Sequence, residues 1–112
     1  MSRKELVTWS GSSKFEYSGS VKSGTDILFG KAFRYHEFIA AEKYQLLLSN
    51  FTGKTVSLGT SHTDPPKGSV GIWLLSNVSR RALASYVGPI LLHETYAKRV
   101  CGESDMIQFN PL

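Results

Sequence analysis

The sequence lacks the features that mark secreted and membrane proteins. Its only cysteine, Cys101, cannot form a disulfide within the chain, which suits a reducing compartment. The opening residues turn polar and then aromatic, so they leave no room for the apolar region of a signal peptide. No apolar run approaches the ~20 residues of a membrane-spanning helix. We therefore expect a cytoplasmic protein without a membrane partner.

The sequence also lacks a recognisable catalytic or metal-binding motif. The three histidines are dispersed among different segments, and Cys101 has no partner at metal-ligand spacing. One arrangement stays open, because His62, Asp64 and Cys101 would resemble a nucleophile with its base if the fold brought them together. Nothing in their spacing indicates that they meet. We therefore predict a protein with no enzyme activity, no metal and no cofactor.

What is present fits one small folded domain with a moderate excess of positive charge. The 112 residues are 41% apolar and 12% aromatic, which is enough to bury a core without a disulfide or a metal. The net charge is +4, from 13 basic and 9 acidic side chains. Residues 52–100 hold six of the basic groups and only two of the acidic ones. A basic segment of this kind is consistent with a polyanionic partner such as nucleic acid.

Short β-prone segments dominate the first 38 residues. Residues 14–17 alternate between polar and aromatic side chains, as a half-buried strand does, and Ser18-Gly19 can reverse the chain. Residues 27–29 and 32–35 are also β-prone, with Gly30-Lys31 as a bulge or turn between them. The sequence therefore predicts an N-terminal β-rich extension over residues 1–38.

The hydrophobic period changes at Ala40. Apolar residues recur at helical spacing as far as Phe51, and a glycine then follows as a stop signal. Ser69 and Ser79 are each placed to cap a further helix, because a serine hydroxyl can accept a hydrogen bond from a first-turn amide. The second half is predicted to contain, in order, a helix from residue 40, a strand at 54–58, a loop at 60–68, a short helix from 69, a helix over 79–94 bent by Pro89, and a hairpin of residues 96–100 and 106–109.

Two segments of this half carry a resemblance to a known family. Residues 73–87, WLLSNVSRRALASYV, resemble the turn and recognition-helix entry of winged helix-turn-helix domains. Residues 91–99, LLHETYAKR, resemble the point where that helix ends and basic residues open the wing. The resemblance, which spans residues 40–109, implies an α+β fold with a winged-helix-like trihelical core over residues 39–112, a C-terminal β-hairpin wing and extra N-terminal β-strands. The whole chain, residues 1–112, would form a single domain.

The resemblance also implies a site for duplex DNA. Helix 79–94 would enter the major groove with its N-terminal turn leading. Arg80 and Arg81 would contact guanine edges or phosphates through their guanidinium groups. Ser79 and Ser85 are small enough to allow close approach, and Ser85 could donate a hydrogen bond. The function expected from the resemblance is that of a small, non-enzymatic, regulator-like DNA-binding protein.

Basic residues outside the helix would add phosphate contacts. Lys98 and Arg99, in a wing over residues 98–105, would reach the phosphates that flank the reading site. Lys67 lies in the polar loop before a capped helix, where an anion could bind. These contacts would raise affinity and salt dependence without reading sequence.

A protein-interaction or oligomerisation module with no nucleic-acid role is the alternative. Leu92 and Tyr96 lie on the same side of the predicted helix as Arg81, which is awkward for a helix that faces DNA. They would either pack under the N-terminal strands or form a homodimer contact. An exposed apolar patch at these residues would favour the alternative. A continuous positive surface that joins the helix arginines to the wing would favour DNA binding.

Overall fold

The computed structural model describes residues 3–111, and the protein is α+β. None of the helices in that range is long and apolar enough to cross a membrane. In chain order the elements are β1 (Lys4–Val7), β2 (Lys14–Ser20), β3 (Gly24–Phe29), a 3-10 turn (Lys31–Phe33), β4 (Tyr35–Ile39), α1 (Ala41–Phe51), β5 (Thr55–Ser57), α2 (Val70–Asn77), α3 (Ala84–His93), β6 (Ala97–Val100) and β7 (Glu103–Phe109).

The first sheet is an antiparallel meander in which each strand pairs with the next, in the order β1-β2-β3-β4. Successive side chains of a strand point to opposite faces, so one set turns towards the interior. The buried members of that set include Phe15, Tyr17, Ile27, Phe29 and Ile39. The opposite face is solvated and carries ion pairs such as Arg3 with Glu16, whose charged atoms lie 3.5 Å apart.

The second half packs its helices and a second sheet onto this inner face. α1 buries an apolar stripe that ends at Phe51. The second sheet has the order β5-β7-β6, so the last strand is the central one. Its Phe109 ring stacks on Phe51 with centroids 5.2 Å apart. α2 begins where the sequence predicts, because the Ser69 hydroxyl accepts a hydrogen bond from the Ile72 amide at 3.2 Å.

The predicted winged-helix-like architecture, a trihelical core with a C-terminal hairpin wing, is wrong. Residues 3–111 form seven strands, and a four-stranded sheet comes first in the chain. The inward side chains of that sheet share one hydrophobic core with all three helices, so the helices do not close a core among themselves. β6 and β7 do not project as a wing, because β5 joins them and their Ala97 and Ile107 are buried. Periodicity identifies apolar faces, but the pairing of those faces is a long-range property.

Helix α3 is shorter than predicted, and the N-terminal segment supplies one hydrogen bond that the helix itself lacks. Pro89 lies inside α3 and has no amide hydrogen, which leaves the Ser85 carbonyl without its usual helical donor. The Trp9 amide donates to that carbonyl at 3.0 Å. Gly88 permits this approach, because a Cβ there would lie 2.7 Å from the Trp9 ring. The first and second halves are therefore interdependent at this helix.

Candidate functional site

One carboxylate fastens the loop between α2 and α3 to the edge strand β4. Ser79 Oγ donates to Glu37 Oε1 at 3.0 Å, and Nε of Arg81 lies 3.4 Å from the same oxygen. The Ser79 hydroxyl also accepts the Arg81 amide at 3.2 Å. These contacts hold residues 79–81 as a loop, although the sequence predicted them as the cap and first turn of a helix. The prediction failed because the partner of Ser79 is on another element, and α3 begins only at Ala84.

Three aromatic rings lie beside this loop. The Phe29 ring stacks on Tyr35 with centroids 5.9 Å apart and packs on Tyr86 with centroids 4.7 Å apart. The guanidinium carbon of Arg81 lies 5.2 Å from the Tyr35 centroid and 5.6 Å from that of Phe29, within cation–π range. Tyr35 is 47% exposed, so one end of the row faces solvent. We call Phe29, Tyr35 and Tyr86 the aromatic shelf.

The aromatic shelf borders a cleft between the first sheet and the helical part of the protein. The larger part of the cleft has a volume of about 680 Å³, and the smaller part, beside the shelf, about 400 Å³. His62 and Tyr86 line both parts, so the two adjoin each other. Burial raises the pKa of the Tyr86 phenol above its ordinary value. Hydroxyl side chains are frequent in the larger part: Thr8, Ser10, Ser12, Ser13, Thr60 and Ser85.

Positive charge converges on the cleft from separate parts of the chain. The cationic lining residues are Lys14, Lys31, Arg80 and Arg81. Within residues 3–111, no lining residue is acidic. Lys14 Nζ lies 3.8 Å from a Glu5 oxygen, and Arg81 is held by Glu37. Lys31 and Arg80, by contrast, form no ion pair with another described residue, so their charges are available to a ligand.

The structure gathers some of the predicted DNA-contacting residues and separates the others. Those that line the cleft are Arg80, Arg81 and Ser85. Ser79 does not line the cleft, and its hydroxyl donates to Glu37. Lys67 is exposed in the loop before α2, and Lys98 is exposed on β6, and neither lines the cleft. The two arginines line the cleft together with Lys14 and Lys31 of the N-terminal half, and not with Lys98 of the predicted wing.

Arg99, the other residue predicted on the wing, is engaged in an internal contact. Its guanidinium carbon lies 3.8 Å from the Trp9 ring centroid, and Nη2 donates to the Trp9 carbonyl at 2.8 Å. The Trp9 indole nitrogen donates in turn to the Ser104 carbonyl at 2.7 Å. Trp9 is only 6% exposed. Arg99 thus fastens the N-terminal segment to the hairpin of β6 and β7.

Helix α3, predicted to enter the major groove, has little free surface. Ala84 and residues 87–91 are buried, and Ser85 and Tyr86 are half-buried. Leu92 and the following Tyr96 pack against the core, so they form no exposed apolar patch. The cationic residues come instead from the start of β2, the 3-10 turn and the loop before α3.

Sequence reasoning missed four contributors to the cleft: Lys14, Lys31, Tyr35 and Tyr86. The available signal was the turn predicted at Gly30-Lys31, where a basic residue interrupts two β-prone segments. The structure makes that turn unusual, because Ala32 and Phe33 have φ angles of 57° and 53°, uncommon for residues other than glycine. The turn places Lys31 on the cleft rim.

The remaining candidates for chemistry lie apart in the molecule. His62 lines the cleft, whereas Cys101 lies exposed in the turn between β6 and β7. Among residues 3–111, no group of three or more His, Cys, Asp or Glu side chains is placed to hold a metal ion. Comparison of the chain with known protein families, with curated proteins and with solved structures finds no match.

Proposed function

We propose that the protein binds nucleic acid in the cleft, without catalysing a reaction. The observation that carries the proposal is one cleft with four cationic side chains, three aromatic rings and, within the described residues, no acidic lining. Lysine and arginine attract phosphates, and the release of condensed counterions favours binding. Aromatic rings add surfaces on which bases stack. A small inorganic anion would use the charges but not the rings.

The strongest phosphate contacts are assigned to Lys31 and Arg80. Both are exposed and have no acidic partner among the described residues, so binding a phosphate breaks no ion pair there. Lys14 adds charge after it leaves an exposed pair with Glu5, which costs little because such pairs contribute only about 0–1 kcal/mol. Ser12 and Ser13 hydroxyls line the same part and can donate to phosphate oxygens.

Duplex DNA, the ligand expected from the sequence, stays a proposal, but the contact surface proposed for it changes. The buried state of α3 argues against its insertion into a major groove, which needs a free helix face. The cleft and its rim are therefore the proposed contact surface. A regulator-like role would require a sequence preference, which binding measurements with several oligonucleotides would show.

Fluorescence anisotropy with labelled oligonucleotides at increasing salt tests the proposal. The double variant Lys31→Ala/Arg80→Ala should lower affinity and reduce the slope of log affinity against log salt by roughly 1.4–1.8, because each lost phosphate contact contributes about 0.7–0.9. The matched control is Lys22→Ala/Lys54→Ala, which removes the same charge from exposed residues outside the cleft.

Two results would contradict the proposal. Absence of binding at low salt by the folded wild-type protein would exclude nucleic acid as the ligand. Equal loss in the control and the cleft variant would show non-specific attraction without a defined cleft site.

A third variant, Lys67→Ala/Lys98→Ala, measures the separate contribution of the loop and strand residues predicted from the sequence.

The structure gives less support to the protein-interaction alternative and to a homodimer than to nucleic-acid binding. The residues on which they depended, Leu92 and Tyr96, are half-buried against the core. The large hydrophobic side chains with the most exposure lie elsewhere: Val7, Tyr35, Phe38 and Leu46. Sedimentation of the free protein over a range of concentrations measures its oligomeric state directly.

A further inference from the structure

The aromatic shelf favours single-stranded nucleic acid over a duplex. The Phe29 ring makes an interplanar angle of 29° with Tyr35, on which it stacks, and of 31° with Tyr86, against which it is tilted. A base can extend such a row only by presenting its flat face. In a duplex both faces of a base are covered by its neighbours, whereas a single strand can turn a base out.

Arg81 is positioned to act with the shelf. Its guanidinium lies over Tyr35 and Phe29, and Glu37 holds it through Nε. A guanidinium plane is itself a stacking surface for an unpaired base, and its charge is attracted to the ring faces. Because a carboxylate behind the loop fixes this arginine, the surface is formed before a ligand arrives, which lowers the entropy cost of binding.

The volume of the cleft and the order of its lining residues also favour a single strand. A cleft of about 680 Å³ has the size of a small-molecule site, so it can hold one or a few nucleotides but not the width of a duplex. The smaller part holds the shelf and both arginines, and the larger part holds Lys14 and Lys31. A strand whose base stacks at the shelf would therefore place its neighbouring phosphates at Arg80, beside the shelf, and at Lys31, in the larger part of the cleft.

We propose that the cleft selects single-stranded nucleic acid, with one unpaired base stacked on Tyr35 and Arg81 and the adjoining phosphates at Lys31 and Arg80. This inference rests on the proposed function and narrows it. DNA and RNA share the chemistry that it uses, namely a flat base on a phosphate backbone. The larger part of the cleft offers hydroxyls such as Ser12 and Ser13, which could also meet a 2′-hydroxyl.

The experiment compares four ligands of equal length: single-stranded DNA, single-stranded RNA, a duplex and a strand of abasic nucleotides. The single strands should bind roughly tenfold more tightly than the duplex, and the abasic strand should lose affinity although it keeps every phosphate. The DNA and RNA arms show which sugar is preferred. Binding is measured at one fixed salt concentration, because charge contacts alone vary steeply with salt.

Tyr35 variants separate stacking from charge. Tyr35→Leu keeps an apolar contact with Phe29 but removes the exposed ring, and it should weaken single-strand binding roughly 5- to 100-fold. Tyr35→Phe keeps the ring and should bind as the wild type does. The Leu variant should have no effect on the abasic strand, because no base is present to stack. Circular dichroism confirms that each variant is folded.

The outcomes distinguish failure of this inference from failure of the proposed function. If duplex and single strand bind equally, and Tyr35→Leu binds both as the wild type does while Lys31→Ala/Arg80→Ala weakens both, the cleft binds nucleic acid without stacking and the inference is overturned. If no strand binds at all, both proposals are overturned together.

Discussion

Two contacts between an arginine and an aromatic ring join the N-terminal part of the chain to the C-terminal part, and they differ in exposure. Arg99 lies 3.8 Å from the centroid of the Trp9 ring, and Trp9 is 6% exposed. Arg81 lies 5.2 Å from the centroid of the Tyr35 ring, and Tyr35 is 47% exposed. The first contact is closed within the protein, and the second opens onto the cleft.

Hydrogen bonding accounts for the difference. The Trp9 amide, indole nitrogen and carbonyl all have partners, which are Ser85, Ser104 and Arg99. The Tyr35 hydroxyl forms no hydrogen bond with another described residue. An arginine beside an aromatic ring therefore stabilises the fold at one place and leaves the ring accessible at the other. A contact between arginine and an aromatic ring indicates a binding surface only when the ring stays exposed to solvent.

Removal of each ring in turn should give the largest difference in stability between the two contacts. Trp9→Ala deletes a buried ring and should lower the free energy of unfolding by about 3–5 kcal/mol. Tyr35→Ala removes a half-exposed ring and should cost about 1 kcal/mol, mostly from its packing on Phe29. Urea denaturation followed by far-ultraviolet circular dichroism measures both values. Equal losses would show that the Tyr35 contact is as structural as the Trp9 contact.

Alkaline pH tests two further contacts between the halves, each made by the hydroxyl of a buried tyrosine. The Tyr17 hydroxyl donates to Glu94 at 2.7 Å, and the Tyr44 hydroxyl is within 2.7 Å of the Thr25 hydroxyl. Burial raises the pKa of both phenols above the ordinary value, and for Tyr17 the bond to Glu94 raises it further. The folded state therefore favours the neutral phenol, and that stability is present below the unfolded pKa of about 10 and lost above it.

The expected loss is about 1 kcal/mol for each of these tyrosines at one pH unit above the unfolded pKa. Urea denaturation at a series of pH values measures it. Tyr44→Phe is the control, because it removes one titrating group and should flatten part of the pH dependence while it loses the Thr25 hydrogen bond. Stability that does not change across this pH range would contradict the buried, neutral state of the two phenols.

The smallest stability effects are expected at the arginines themselves. Arg99→Ala removes a charged donor to the Trp9 carbonyl and should cost about 1 kcal/mol. Arg81→Ala breaks an exposed contact with Glu37 and should cost less than about 0.5 kcal/mol. In the anisotropy measurement the order should reverse, with Arg81→Ala weakening nucleic-acid binding and Arg99→Ala leaving it nearly unchanged. Parallel effects of the two variants on stability and on binding would remove the distinction between the contacts.

The sequence predicted part of the local structure but not the arrangement of the two halves. The strand at 14–17, the helix that ends at Phe51 and the cap at Ser69 follow from neighbouring residues alone, and the structure confirms them. Ser79 has the same residue type as Ser69, yet its hydroxyl bonds Glu37, 42 positions away, and no helix starts there. Local capping rules cannot anticipate a competing partner at that separation.

The candidate site shows the same limit. Arg80, Arg81 and Ser85 were predicted from the resemblance to a recognition helix, and they do line the cleft. Their partners in the cleft, Lys31 and Tyr35, lie in a segment that the sequence described only as β-rich. Nothing in its periodicity indicates that its edge strand meets the loop before α3. The cleft exists only once the first sheet has packed onto the helices.

The bonds made by Trp9 also have a consequence for how the chain is synthesised. Its indole bonds a carbonyl 95 positions later, and its own carbonyl bonds an arginine 90 positions later. The first sheet therefore leaves the ribosome well before the residues that cover its apolar face. Contacts of such separation form slowly, because a long loop must close before they contribute. We expect a nascent chain truncated before α1 to be prone to aggregation, with the exposed inner face of the first sheet as the segment that a chaperone would hold.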